Sequence, residues 1–420
     1  MTVKANADGI PAHTDVAIVG GGMAGLSLAL LLAARLPDLD ILVVESHPFS
    51  GTGEAALHQP SFDARATALS QSSREIYEAI GLWRDLAPFA ATIDQIHVSD
   101  RGHPGVTRLH AREHRLPGLG YVIENRALGQ VLHRQLAACP HIRVAAPARV
   151  ERISPVAGGM SLDIDGRHCR ANLAVVADGA DSRTLRQLGV ASRRRDYGQT
   201  GLIANIALAE PHGGVAYERF SDTGPMALLP LPDAGDEHRA ALVWTLLPDE
   251  AARLSSAPEP DFLDALQNAF GFRAGCFRRA GERVAYPLRL TVAEEQVRRH
   301  LAVVGNAAHT LHPVAGQGFN LSLRDLARLT ESIVAGCGRN LTPGDPRVLD
   351  TYAREQAGDQ ARTILFSDAL PRFFGRRNPV EVAGRNLGLI TLDLVSGLRR
   401  EFGRFGAGLM ARGVGIRESL

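Results

Sequence analysis

The chain has 420 residues, 45% of them hydrophobic and 22% charged, which gives two or three domains' worth of core and an ordinary globular-enzyme balance. A formal net charge of +1 leaves no global electrostatic case for nucleic acid. The four cysteines, Cys139, Cys169, Cys276 and Cys337, stand far apart, so no disulfide framework and no metal site are expected, and a reducing cytoplasm fits.

Residues 1–13 are polar and lack the apolar centre of a signal peptide, which reads as a short disordered tail. The longest apolar run, residues 26–34, is too short to span a bilayer, so any membrane contact is peripheral. Between them lies Thr14-Asp-Val-Ala-Ile-Val-Gly-Gly-Gly-Met-Ala-Gly25. Four apolar residues run into a glycine cluster, and an alanine- and leucine-rich segment follows, which predicts buried strand, tight turn and helix. Gly20, Gly22 and Gly25 have G-x-G-x-x-G spacing. The first lets the chain turn, the second lets backbone approach a pyrophosphate, and the third lets helix pack on strand. The helix start then offers free N–H groups and partial positive charge to phosphates. A second strand, Ile41-Leu-Val-Val44, ends in Glu45, an acid placed to accept hydrogen bonds from a ribose.

A polar loop is expected over 46–60 and a helix over 72–80, with Arg65 at the junction between them. That arginine can reach a phosphate or flavin edge, or make a surface salt bridge. Residues 93–103 alternate like one half-buried strand ending at Gly102. Arg126 opens a helix over 127–138, where it can cover a pyrophosphate bidentately or simply face solvent. Short strands follow near 142, 149, 161 and 169. The buried strand Ala174-Val-Val-Ala-Asp-Gly179 then places Asp178 at the carboxyl edge of a parallel sheet. From 197 to 290 the pattern changes to successive strands separated by turns at 222–225 and 232–235, with one helix over 261–270. This is expected to be an antiparallel sheet forming a second domain, with residues 93–109, inserted into the first (14–92, 110–196 and 291–345).

The strand His300-Leu-Ala-Val-Val-Gly305 resumes the first domain and enters Asn306-Ala-Ala-His-Thr-Leu-His-Pro-Val-Ala-Gly-Gln-Gly-Phe-Asn320, followed by a helix over 319–336. Pro313 fixes the chain, while Gly316 and Gly318 permit close approach to a flat ligand. The helix N-terminus suits the negative charge of a reduced flavin. Residues 346–420 read as a helical region. Its apolar stretch at 387–400 ends in arginines, with Arg404 and Arg412 beyond, and reads as a core-packed helix or a membrane-surface one.

Three fingerprints in this order resemble the single-component FAD-dependent aromatic hydroxylases, the para-hydroxybenzoate hydroxylase class: Gly20-Gly-Gly-Met-Ala-Gly25, Asp178-Gly179, and Gly305-Asn-Ala-Ala-His with Pro313-Val-Ala-Gly-Gln-Gly-Phe-Asn320. The resemblance covers residues 15–330. Phe62-Asp-Ala-Arg65, Ser99-Asp-Arg-Gly-His103 and Asn306 in place of the wider family's aspartate look most like the ubiquinone-biosynthesis branch, the 2-polyprenyl-6-methoxyphenol hydroxylases. The resemblance implies an α/β chain with a Rossmann-like FAD-binding domain and an inserted antiparallel-sheet substrate domain, to which the helical C-terminal region read above is added. It makes Gly20, Gly22, Gly25, Glu45, Arg65, Arg126, Asp178, Gly305, Asn306, Pro313, Gly316, Gly318 and Asn320 the candidate FAD contacts. The Asn306 amide oxygen can take the aspartate's place as acceptor. The arginine that follows Asp-Gly in the family corresponds here to Arg186, one residue late, or to Arg183.

By the same resemblance, NADH or NADPH reduces FAD, dioxygen forms a flavin C4a-hydroperoxide, and its distal oxygen attacks a polyprenylated phenol. The phenol would gain from a base, for which His103, Tyr217, His309 and His312 are candidates by type. A cytoplasmic protein, peripheral on the inner face of the membrane and assembled with other quinone-pathway enzymes, is the matching expectation. Rival readings on this scaffold are a prenyl-chain reductase, a non-catalytic prenyl-binding protein and a halogenase. The halogenase needs a Trp-x-Trp that Trp83 and Trp244 do not make.

Overall fold

The computed structural model describes residues 9–49, 63, 65–221, 224–374 and 379–409. The loop expected over 46–60, the Phe62-Asp-Ala-Arg65 stretch, the turn at 222–225 and Arg412 fall wholly or partly outside them. Val16 to Val19 lie in the strand His13–Val19, in the middle of an eight-stranded sheet. Ile41–Val44 and Arg167–Val176 flank it in parallel, with Ile142–Ala145 and Leu301–Val303 next outward. Both faces of this sheet are covered, so its central strands are apolar throughout rather than alternating.

The helix Met23–Arg35 is buried from Gly25 to Ala33, because Asn125–Ala137 and the long helix Gln317–Cys337 pack over it. A side chain at Gly25 would place its Cβ 1.9 Å from the Gly20 carbonyl oxygen. The third glycine of the motif therefore sets the helix on the strand.

A second, nine-stranded sheet contains Ser192–Leu208, Val215–Phe220, Pro225–Ala234, Glu237–Leu246 and Val284–Ala293. It is antiparallel except where Val215–Phe220 runs parallel to Gln95–Asp100. Helices Pro248–Ser256 and Glu259–Phe270 cover its outer face. The first of these helices has no counterpart in the sequence reading. The strand expected over 93–103 is Gln95–Asp100, and only Ile93 belongs to the strand before it. Ala90–Ile93 joins a small three-stranded sheet with Ala66–Ser70 and Gly120–Glu124, and Gln95–Asp100 joins the large one. The chain crosses at Asp94, whose N–H is taken by the Gly214 carbonyl.

The helix Pro346–Phe374 packs on Gln317–Cys337, with an Arg324–Asp359 ion pair of 2.6 Å between them. The apolar C-terminal stretch breaks at Val395 into Pro379–Leu394 and Ser396–Gly406. The first of these lies over the strand Val106–His110. Asn386 accepts from the Gly105 N–H, the Leu389 carbonyl from the Thr107 hydroxyl, and Asp393 from the Arg108 N–H. Leu389 faces inward while Leu387 and Leu394 are exposed, so this helix has both an inner apolar face and an outer one. Among the described residues no helix is long and apolar enough to cross a membrane.

Gly25→Ala is expected to cost about 3 kcal/mol, the upper end for overpacking, because the methyl meets backbone that cannot swing aside. At about 2–4 °C per kcal/mol, thermal denaturation should show a clear drop in Tm. Gly358→Ala, on an open helix surface, should leave Tm unchanged or raise it.

Candidate active site

A cavity of about 960 Å³ opens between the carboxyl edge of the parallel sheet, the inner face of the nine-stranded sheet and the C-terminal helices. Its volume lies at the upper end for ligand sites. Gly20, Gly22, Glu45 and Asp178 line one end. Gly20 has φ +110° and no room for a Cβ, which would stand 2.5 Å from the Ala177 carbonyl oxygen. The buried Glu45 carboxylate accepts from the Gly21 N–H at 2.7 Å and the His47 N–H at 2.8 Å, so it holds the glycine loop in shape as well as facing the cavity. Asp178 accepts from the Thr184 N–H with one oxygen at 3.2 Å. Its other oxygen is buried and has no partner among the described residues.

Of the two arginines after Asp-Gly, Arg183 lines the cavity, whereas Arg186 donates to the Asp181 carbonyl on an exposed turn. Arg65 lines the cavity too, with its guanidinium 4.8 Å over the Tyr286 ring and a 2.6 Å ion pair to Asp63. The ion pair to Asp63 matches the salt-bridge reading of Arg65, and its place on the lining keeps it beside the cavity. Arg126 is exposed on its helix and is not among the residues that line the cavity, whereas the neighbouring Asn125 is.

The other end is the segment after Val304. Gly305, Asn306, His312, Pro313, Gly316 and Gly318 line the cavity. Gly305, at φ +64°, lies against Ala24, where a Cβ would approach within 2.7 Å, so the two glycine clusters meet. Gly316 takes φ +59° just before the helix Gln317–Cys337 begins. Asn320 does not line the cavity. Its amide donates to the Ala68 and Gly316 carbonyls at 2.8 and 2.7 Å, and its oxygen accepts from the Ser70 N–H and Ser73 hydroxyl at 2.8 and 2.7 Å. Every polar position is used within the protein, which makes Asn320 a clamp on the loop rather than a ligand contact.

The base candidates separate. His103 is exposed on a turn away from the cavity. His309 is buried outside it, 2.6 Å from Asp325, which also accepts from Gln356 and Gln360, so it belongs to a structural knot between two helices. Tyr217 reaches the cavity, but its hydroxyl donates to the Arg273 carbonyl at 2.9 Å and burial pushes its pKa up. His312 lines the cavity, where burial pulls its pKa down to about 4 and keeps the imidazole neutral; its Nε2 has no partner among the described residues.

The sequence reading passed over Glu218. It lines the cavity, burial pushes its pKa up to about 8, and its Oε1 has no partner among the described residues. The signal was present in Ala216-Tyr-Glu-Arg-Phe220, where strand alternation puts Glu218 on the same face as buried Ala216 and Phe220.

The model of the FAD binding domain matches residues 13–365. The chain belongs to this family of FAD-dependent monooxygenases. It is similar to a ubiquinone hydroxylase, UbiL, of Rhodospirillum rubrum, at 35% identity over 95% of this chain and 90% of the relative. It is also similar to the 3-demethoxyubiquinol 3-hydroxylase of Escherichia coli, at 29% identity over 94% and 99%. These relatives put it in the ubiquinone-biosynthesis branch of the FAD family. Its fold matches that of p-nitrophenol 4-monooxygenase PnpA of Pseudomonas putida with a TM-score of 0.77, at 17% identity over 96% and 100%. The glycine loop with no space for a Cβ at Gly20 and the unpartnered Asp178 oxygen both suit FAD. The first admits pyrophosphate against backbone, and the second awaits a hydroxyl donor.

Asn320→Ala strands the Ser70 N–H and the Ala68 and Gly316 carbonyls, and is expected to cost about 3 kcal/mol, read as a lower Tm together with weaker FAD retention. Glu218 holds its proton more tightly folded than unfolded, so its stabilisation is present at low pH and is lost as pH rises from 4.5 through about 8. Glu218→Gln should therefore be more stable than the parent near pH 9, with the gap closing near pH 4.5, as thermal melts across pH will test.

Proposed function

We propose that the protein hydroxylates the ring of a polyprenylated phenol, 2-polyprenyl-6-methoxyphenol, in ubiquinone biosynthesis. NADH or NADPH donates two electrons. One atom of dioxygen enters the ring, the other leaves as water, and a ring C–H becomes C–OH. FAD, when bound, supplies the oxygen-activating chemistry. The observation that carries the reading is the cavity's gradient. It is polar around Gly20, Glu45 and Asp178, and apolar from Val314 past Val98 and Phe220 to Leu389 on the C-terminal helix.

In this reading Gly20 and Gly22 let the pyrophosphate lie against backbone at the start of Met23–Arg35, and Glu45 takes a ribose hydroxyl. The N-terminus of Gln317–Cys337 would stabilise negative charge on a bound flavin. Gly305, Pro313, Gly316 and Gly318, which line the cavity, would shape the backbone that holds it. The apolar wall excludes water, and the prenyl chain runs toward Leu389 and Leu392. Exposed Leu387 and Leu394, on the outer side of the same helix, suit peripheral contact with the inner face of the membrane from which such a substrate comes.

A second reading, another ring hydroxylase of the same pathway, is favoured by the name of the Escherichia coli relative, which gives 3-demethoxyubiquinol as the molecule it hydroxylates. Loss of the gene followed by mass spectrometry of quinone precursors separates the two. Accumulation of 2-polyprenyl-6-methoxyphenol is expected, and accumulation of a demethoxy intermediate moves the protein to the later step. Gly22→Val is expected to abolish the yellow flavin absorbance of the purified protein, since a branched side chain would occupy the place of the pyrophosphate. Normal flavin content would remove that loop from the site.

A further inference from the structure

The nine-stranded sheet turns a face of small and aliphatic residues to the cavity, and Glu218 interrupts it. Its cross-strand neighbours are Val98 and Ala227. One pleat along the strand, about 7 Å away, is Phe220, which packs with Val98, Val314 and Leu389. Val314 belongs to the loop on which the flavin ring is placed. One pleat the other way is Ala216, packed in a separate apolar cluster with Leu109 and Ala241. The carboxyl thus stands one pleat from the place where the ring loop meets the apolar wall assigned to the prenyl chain. That is the position a phenol head would occupy.

Among the described residues, no partner meets its buried Oε1. His97, Arg108 and Arg219 belong to the opposite face of the sheet by strand alternation and register. The titratable side chain that the ring loop adds to the same cavity is His312, which burial keeps neutral. Asp178 and Glu45 lie at the nucleotide end, and the Tyr217 hydroxyl is committed to Arg273.

We propose, resting on the hydroxylase reading above, that Glu218 is the catalytic acceptor for the phenolic hydroxyl. Its carboxylate takes the hydroxyl proton as the ring carbon is attacked. The O–H bond breaks, its electron pair enters the ring, and the activated carbon forms the new C–O bond as the O–O bond of the two-electron-reduced dioxygen breaks, its other oxygen leaving as water. The resulting dienone then loses its ring C–H proton to water and regains its O–H proton from Glu218, which restores both the aromatic ring and the carboxylate. Dioxygen and the nicotinamide supply the oxidation, so Glu218 is unchanged over the cycle. A carboxyl raised by burial is a stronger base than an ordinary one and better matched to a phenol.

The test uses the FAD-loaded protein with 2-geranyl-6-methoxyphenol and its O-methyl ether as probes. Binding is read from the flavin absorbance, and turnover from hydroxylated product per nicotinamide consumed. Glutamine copies the protonated acid in shape and charge, so Glu218→Gln should still retain FAD. It is expected to lower product yield at least about tenfold. It should also remove the rise in product formation with pH that the parent shows through about 8. Glu218→Leu should bind phenol and ether alike, where the parent prefers the phenol about tenfold. A Glu218→Gln variant with parental yield and pH profile overturns the proposal, as does a Glu218→Leu variant that still discriminates. If the parent prefers the phenol through Glu218 yet forms no hydroxylated product, the hydroxylase reading and the catalytic role of Glu218 both fail, and only its binding of the phenolic hydroxyl stands.

Discussion

Four hydrogen bonds at one buried amide decide where the site can be. Asn320 ties the Gly316 carbonyl, the Ala68 carbonyl, the Ser70 N–H and the Ser73 hydroxyl together. That single side chain fastens the start of the helix Gln317–Cys337 to the strand Ala66–Ser70, which lies some 250 residues earlier in the chain. A Cβ at Gly316 would already press on Ala68, at 3.2 Å. The loop is therefore held close to the small sheet and its backbone is turned toward the cavity. A buried amide with every donor and acceptor satisfied is rigid, because any displacement leaves polar groups without partners.

The cavity inherits its polarity from the two sheets that bound it. At the parallel sheet, side chains and backbone N–H groups crowd around strand ends, which is where α/β sheets present polar groups to ligands. At the large sheet, alternation sends apolar residues to both faces, one against the helices Pro248–Ser256 and Glu259–Phe270 and the other into the cavity. A carboxyl on the cavity face is costly there. Glu218 meets that cost by holding its proton, and a ligand hydroxyl would give the charged form a partner.

The C-terminal helices complete the apolar end of the cavity. Leu389 packs with Val98, Phe220 and Val314, so a helix from the end of the chain touches both the large sheet and the ring loop. Its hydrogen bonds to Gly105, Thr107 and Arg108 fix that position along the strand Val106–His110. The exposed leucines on its other side, Leu387 and Leu394, sit on the element that walls the cavity. A substrate with a long apolar chain would thus meet one helix both outside and inside the protein.

What the sequence determined by itself is local. Val16 to Val19 followed by three spaced glycines could only be a buried strand turning tightly into a helix, because backbone freedom and burial act within a dozen residues. The order of three such fingerprints sufficed for the FAD family and its fold. Tertiary structure alone decided which side chains reach the cavity. Asn320 and His309 lie in or beside the second glycine cluster, yet both are consumed by partners brought from other helices and strands. Arg126 faces solvent because the helix phase, not its distance from the motif, sets its direction. The strand Gln95–Asp100 was legible, but that the strand before it, Ala90–Ile93, joins a different sheet across Asp94 was not, since pairing partners lie far along the chain. Glu218 was legible only as an odd acid in an alternating strand; its isolation in an apolar wall comes from folding three distant segments around it.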